Sequence, residues 1–147
     1  MNRKVILILA DGMRPDSMAH LSYAKKLMQE GAYTLSADTT FPSVTLPCHF
    51  SLFLSVPTER HGISTNLYMP PVRPINGLFE QLSAAGKRSI VYYDWEQLRD
   101  LWRPGTVELA SYLKGVYLPD GDIPFARSLR FSYESYKRSA YLASNFR

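Results

Sequence analysis

Five side chains of this 147-residue chain combine a reactive type with a suggestive position: Asp11, Thr45, His49, His61 and Asn66. Asp11 ends the continuously apolar run of residues 5–10 and is followed by Gly12. A carboxylate at the carboxyl end of a central strand lies where α/β folds hold their ligands, and it is costly there unless paired or bound to a cation. Taken alone, Asp11 reads as a turn or helix-capping aspartate. Thr45 sits in the segment Thr40-Phe41-Pro42-Ser43-Val44-Thr45-Leu46-Pro47-Cys48-His49, at or just before a helix expected to start near Pro47. Free backbone N–H groups and the helix dipole at such a place favour an alkoxide and phosphoryl oxyanions. A hydroxyl is a poor nucleophile at neutral pH and needs a base or a metal to activate it. By itself Thr45 is an ordinary N-cap, His49 an ordinary hydrogen-bonded histidine and His61-Gly62 an ordinary turn.

The elements that must position these groups follow from apolar spacing. Residues 5–10, rich in β-branched side chains, predict a strand covered on both faces at the centre of a parallel sheet. Pro15, Met18, Leu21, Ala24 and Met28 predict a helix that Gly31 ends. Tyr33, Leu35 and Ala37 alternate as a short strand would, and residues 38–47 form a loop. Phe50, Phe53 and Leu54 predict a second helix from Pro47 that halts before Pro57. Leu78, Phe79 and Leu82 predict a third over residues 75–85, stopped by Gly86. Residues 88–93 predict a strand, followed by a short helix carrying Trp95, Leu98 and Leu101. Pro70, Pro71 and Pro74 mark a loop. The alternation argues for an α/β layer fold. The Ser- and Tyr-rich residues 128–147 read either as a helix or as a ragged end.

Composition excludes several classes. Apolar residues make up 46% and charged residues 20%, as in a globular protein and unlike a disordered one. The net charge of +4 is scattered over the chain, as at Lys25/Lys26 and Lys87/Arg88, so a nucleic-acid polymer is not an expected partner. The single cysteine, Cys48, rules out an internal disulfide. No run approaches the ~20 apolar residues of a membrane span, and the six-residue run before Asp11 falls below the ~7–15 of a signal core. A cytoplasmic location is expected, with no membrane partner.

Order and spacing join these segments. A hydrophobic strand ending in Asp11-Gly12, then Thr45-Leu46-Pro47-Cys48-His49, then Pro57-Thr58-Glu59-Arg60-His61-Gly62-Ile63-Ser64-Thr65-Asn66 resembles the opening of type I phosphodiesterases/nucleotide pyrophosphatases in the alkaline phosphatase superfamily. The close match covers residues 4 to about 68; residues 75–125 match in α/β layout alone. The resemblance implies an alkaline-phosphatase-like layered sheet with helices on both faces, of which residues 1–147 form the N-terminal part. It implies a nucleotide-like phosphoester substrate and two divalent metals, zinc by family usage. It makes Asp11 a metal ligand, Thr45 both nucleophile and ligand of the same metal, and Asn66 the amide that holds a non-bridging phosphoryl oxygen. His49 and His61 match positions that shape the site without binding metal. Cys48 departs from the Asn found there in many relatives, which changes the hydrogen bonding beside the nucleophile; an inert buried thiol is the expectation.

The same resemblance implies further Asp and His ligands, and the sequence holds no histidine after His61. Zinc favours nitrogen or sulfur among its ligands. Asp120-Gly121-Asp122 reads as a solvated turn. The expectation is a hydrolase that carries the nucleophile half of its site and is weak or inactive alone. The alternative is a non-catalytic fragment or pseudoenzyme that needs a complementing chain, or a homo-oligomer, to complete its fold. A sulfatase is disfavoured, because Thr45 stands where that chemistry uses Cys or Ser.

Overall fold

Ten residues, Thr45–Leu54, form the helix on which the buried core is built. The computed structural model describes residues 4–67, 69–70 and 74–112. In chain order they form a 3-10 turn at Pro15–His20, helix α1 (Ser22–Glu30), α2 (Thr45–Leu54), the single turn α3 (Thr58–His61) and α4 (Leu78–Ala84). Strand β1 (Ile90–Tyr93), a 3-10 helix (Glu96–Leu101) and strand β2 (Leu109–Tyr112) follow. β1 and β2 pair in parallel with Ile90 opposite Leu109, so the fold is mixed α/β.

Helix α2 is the hub because its apolar residues recur every three or four positions. Leu46, His49, Phe50, Phe53 and Leu54 are buried on one stripe, while Leu52 faces out. Ile63, Phe79 and Leu101 close the core from the turn after α3, from α4 and from the second 3-10 helix. Phe53 stacks on Phe79 at 5.3 Å between ring centroids, and Trp102 meets Phe79 edge-on at 5.6 Å. Such ring pairs add ~0.5–1.5 kcal/mol beyond the area they bury. Ser55 ends α2 in the left-handed region, and Gly62 (φ +76°) ends α3 the same way, its N–H donating to the Thr58 carbonyl at 2.8 Å.

α4 is set against α2 by its first residues. Glu80 Oε2 accepts the Gly77 N–H at 2.8 Å, and Oε1 accepts the Arg103 N–H at 2.9 Å. Gly77 is buried so tightly that a Cβ there would lie 2.7 Å from both Leu54 Cδ2 and the Phe53 carbonyl oxygen. The backbone atom cannot swing away. Gly77→Ala is therefore expected to lower stability by about 1–3 kcal/mol, read as a shift in the urea midpoint, although its φ of −90° suits alanine.

Several expectations need correction. Residues 5–10 carry no strand hydrogen bonding, and Val5 is 91% and Leu9 42% exposed. A run apolar on both faces needs a neighbouring strand and a cover on each side, and the described residues supply neither. Residues 33–37 form no strand for the same want of a partner. Pro15 begins a 3-10 turn, and the regular helix starts only at Ser22. α2 begins at Thr45, two residues before Pro47, because proline suits a first helical turn without having to be its first residue. α4 starts at Leu78, where Gly77 and Glu80 fix its entry, and not at residue 75. α3 and β2 were not anticipated. Residues 128–147, Asp120 and Asp122 lie outside the described residues. Among the described residues no helix is long and apolar enough to cross a membrane.

Candidate active site

The amino end of α2 meets the loop that follows residues 5–10. Thr45 Oγ1 donates to Asp11 Oδ2 at 2.9 Å across 34 residues of sequence. The other carboxylate oxygen, Oδ1, accepts the Gly12 N–H at 2.9 Å, which the left-handed Gly12 (φ +70°) turns towards it. Asp11 is thus held by one oxygen to its own turn and by the other to Thr45. Thr45 is the first helical residue and not the N-cap; Val44 takes that place and offers no side-chain cap. Released from capping, the threonine hydroxyl is committed to Asp11 instead.

Asn66 joins this pair from the turn after α3. Its Oδ1 accepts the Leu46 N–H at 2.9 Å. A backbone N–H can only donate, so the amide atom facing it is the oxygen, and Nδ2 is left as the outward donor. Asn66 therefore occupies one of the free amides at the start of α2, and Pro47 has no amide to give. Of the helix start, only the Thr45 amide remains for a ligand. That is fewer backbone donors than the position of Thr45 in sequence led one to expect.

Both histidines lie behind this constellation. His49, 8% exposed, has Nδ1 2.8 Å from the Thr45 carbonyl oxygen, which fixes Nδ1 as the donor. His61, 3% exposed, accepts the Ile63 N–H on Nδ1 at 3.1 Å, so Nε2 carries the proton and donates to Ser51 Oγ at 2.9 Å. Burial lowers the His61 pKa below its ordinary 6.5, with the Glu59 charge and a hydrogen bond to the Pro47 backbone pulling the other way, which favours the neutral ring. Cys48 is half-buried, and its Sγ accepts from Thr39 Oγ1 at 3.0 Å. The structure brings Asp11, Thr45 and Asn66 together and keeps His49, His61 and Cys48 in supporting positions. Sequence reasoning missed Ser51, a polar residue inside a helix that no motif marks, and the amides of Gly12 and Leu46.

Asp11 and Thr45 suit part of one metal's ligand set. At a tetrahedral zinc with metal–oxygen bonds of about 2.0–2.2 Å, neighbouring oxygens stand about 3.3–3.6 Å apart, so the two oxygens, 2.9 Å apart here, would have to part by about half an ångström to share an ion. Among the described residues no three His, Cys, Asp or Glu side chains gather as a metal site. The described residues therefore fit two ligands of one ion and not a two-metal centre.

The family model for "Type I phosphodiesterase / nucleotide pyrophosphatase" matches residues 5–111. The chain belongs to this family. It is similar to human ectonucleotide pyrophosphatase/phosphodiesterase family member 5, with 24% identity over 143 residues covering 93% of this chain and 28% of the relative. It is also 25% identical over 155 residues to rat ectonucleotide pyrophosphatase/phosphodiesterase family member 1, covering 96% of this chain and 17% of that protein. The chain thus spans less than a third of the length of either curated relative. No solved structure matches it. The family match begins at Val5 and takes in Asp11, Thr45 and Asn66, the groups that the fold gathers.

Proposed function

We propose that this chain carries the nucleophile half of a metal-dependent phosphoester hydrolase acting on nucleotide-like phosphoesters. The observation that carries the reading is the 2.9 Å contact between Thr45 Oγ1 and Asp11 Oδ2. Asp11 keeps the hydroxyl proton turned towards Oδ2, which leaves the oxygen lone pairs free to meet phosphorus. Asn66 Nδ2, set by the Leu46 amide, donates to a non-bridging oxygen where charge grows; preorganised donors of this kind are worth ~3–4 kcal/mol. Asp11 and Thr45 would hold a divalent ion, zinc by family usage, whose charge would lower the pKa of the hydroxyl. The attack forms the Oγ1–P bond as the bond from phosphorus to the leaving oxygen breaks, the hydroxyl proton leaving by way of Asp11 Oδ2; water later cleaves the phosphothreonine, releasing phosphate or its monoester and restoring the hydroxyl. The alkaline-phosphatase-like layering of helices on both sides of the sheet belongs to this proposal, with residues 1–147 as its N-terminal part.

The two oxygen ligands that the described residues offer make a weak zinc site, so slow catalysis is the expected outcome for this chain by itself. The test is hydrolysis of bis(p-nitrophenyl) phosphate with added zinc, comparing the chain with Asp11→Asn. Slow, zinc-dependent turnover is expected, falling at least about tenfold in the variant. Turnover indifferent to Asp11→Asn would sink the metal-ligand role. A rate near the ~10 s⁻¹ of ordinary enzymes would overturn the weakness of the isolated chain.

A second reading has its own support in the exposed apolar residues 5–9. In it the chain is a non-catalytic fragment or pseudoenzyme whose surface waits for a complementing chain or a second copy. A folded chain with no zinc-dependent turnover above buffer favours that reading.

A further inference from the structure

We propose that Ser51 and His61 form a positioning pair that sets Asn66 over the start of α2, the role of Asn66 itself resting on the function proposed above. The His61 ring ties two elements at once. Through Nε2 it donates to Ser51 Oγ on α2, and through Nδ1 it accepts the N–H of Ile63, two residues further on. Phe50, one turn before Leu54 on the same helix, packs against the ring at 5.8 Å between centroids. Ile63 is itself sunk in the core at 2% exposure. The turn leaving α3 is thereby anchored on α2 at its first residues, and Asn66 follows three residues later.

Asn66 is exposed. What fixes it is the bond its Oδ1 accepts from the Leu46 N–H and the anchored turn that delivers it there. Both ends of that arrangement stand on α2, since Ser51 lies five residues beyond Leu46 on the same helix. The distance from the His61 anchor to the Asn66 amide is therefore referred to the helix that carries Thr45. A neutral imidazole is the side chain that suits this job. It offers one acceptor and one donor on opposite sides of a rigid ring, and no charge has to be buried.

The readout is hydrogen exchange of individual backbone amides of the full 147-residue chain, followed by NMR. Leu46 reports the Asn66 bond, and Phe53 and Leu54 report the body of α2. Asn66→Ala gives the rate of an unprotected Leu46 amide. Ser51→Ala and His61→Gln are expected to speed Leu46 exchange about tenfold, towards that rate, with Phe53 and Leu54 changed little. Ser51→Ala removes a single oxygen and keeps the result readable if His61→Gln fails to fold. Leu46 exchange unchanged in Ser51→Ala would overturn the proposal. So would equal acceleration along all of α2, which would make the pair a general brace. Turnover is a separate measurement: Leu46 protection lost without any change in turnover would overturn the role of Asn66 and leave the positioning pair intact.

Discussion

Thr45→Ala is expected to reduce the zinc-dependent hydrolysis of bis(p-nitrophenyl) phosphate by about a thousandfold, or about 4 kcal/mol of barrier, which for a weak catalyst means the rate of buffer with zinc. The variant deletes the oxygen that contacts Asp11 Oδ2 and that the proposed mechanism brings to phosphorus. Nothing nearby replaces it. Ser43 and Ser51 lie on either side in sequence, but Ser51 Oγ is bonded to His61, and no described contact brings Ser43 to Asp11. The loss is not a folding effect. Thr45 is the first helical residue, it caps nothing, and alanine is the best helix former, so stability should move by less than about 1 kcal/mol. Circular dichroism in urea checks this. Thr45→Ser supplies the opposite control, because it restores an oxygen at the same place and should recover most of the turnover. If Thr45→Ala kept its rate while Asp11→Asn lost it, attack by a water would have to replace attack by the threonine.

How the sequence foretells this site, and where it falls short, comes down to where the information lies. Asp11, Thr45 and Asn66 are legible because each stands in a short segment whose order along the chain is itself the signal. Helices α2 and α4 are legible because Phe50, Phe53 and Leu54, and Leu78, Phe79 and Leu82, recur at helical spacing. The strand over Ile90–Tyr93 and the helical turn carrying Leu98 and Leu101 were readable for similar reasons. Residues 5–10 mislead because strand propensity describes a residue's fitness for a sheet, while pairing depends on a neighbour elsewhere in the chain. β2 shows the converse. Leu109-Ala110-Ser111-Tyr112 has little alternation, and it pairs because the Arg88–Glu108 ion pair and the Glu108 N–H to Ser89 carbonyl bond, at 2.9 Å, start its register beside β1. Ser51 was invisible for a third reason. Its partner is defined by the angle between α2 and α3, which no local pattern encodes.

Phe50→Ala is expected to cost about 3–5 kcal/mol, enough to remove cooperative unfolding from a chain whose whole stability lies in the usual 5–15 kcal/mol range or below it. Phe50 is 1% exposed and is one of the three largest side chains buried completely. Among the described residues the core it belongs to holds seven buried apolar residues, four of them on α2. A cavity there cannot be closed by small shifts on every side, because Leu46, Phe53 and Leu54 are fixed to the same rigid helix and cannot approach one another. The ring also packs against His61, so its loss admits water to an imidazole whose pKa burial lowers. Damage to the core should therefore reach the site in a definite order. In urea titrations of Phe50→Leu, a milder variant that stays folded, the turn holding Asn66 should loosen before α4 does, seen as earlier exchange at Ile63 than at Leu82. The reverse order would mean that the core around Phe79 and Trp102, and not the Phe50–His61 contact, supports the start of α2 and the turn holding Asn66.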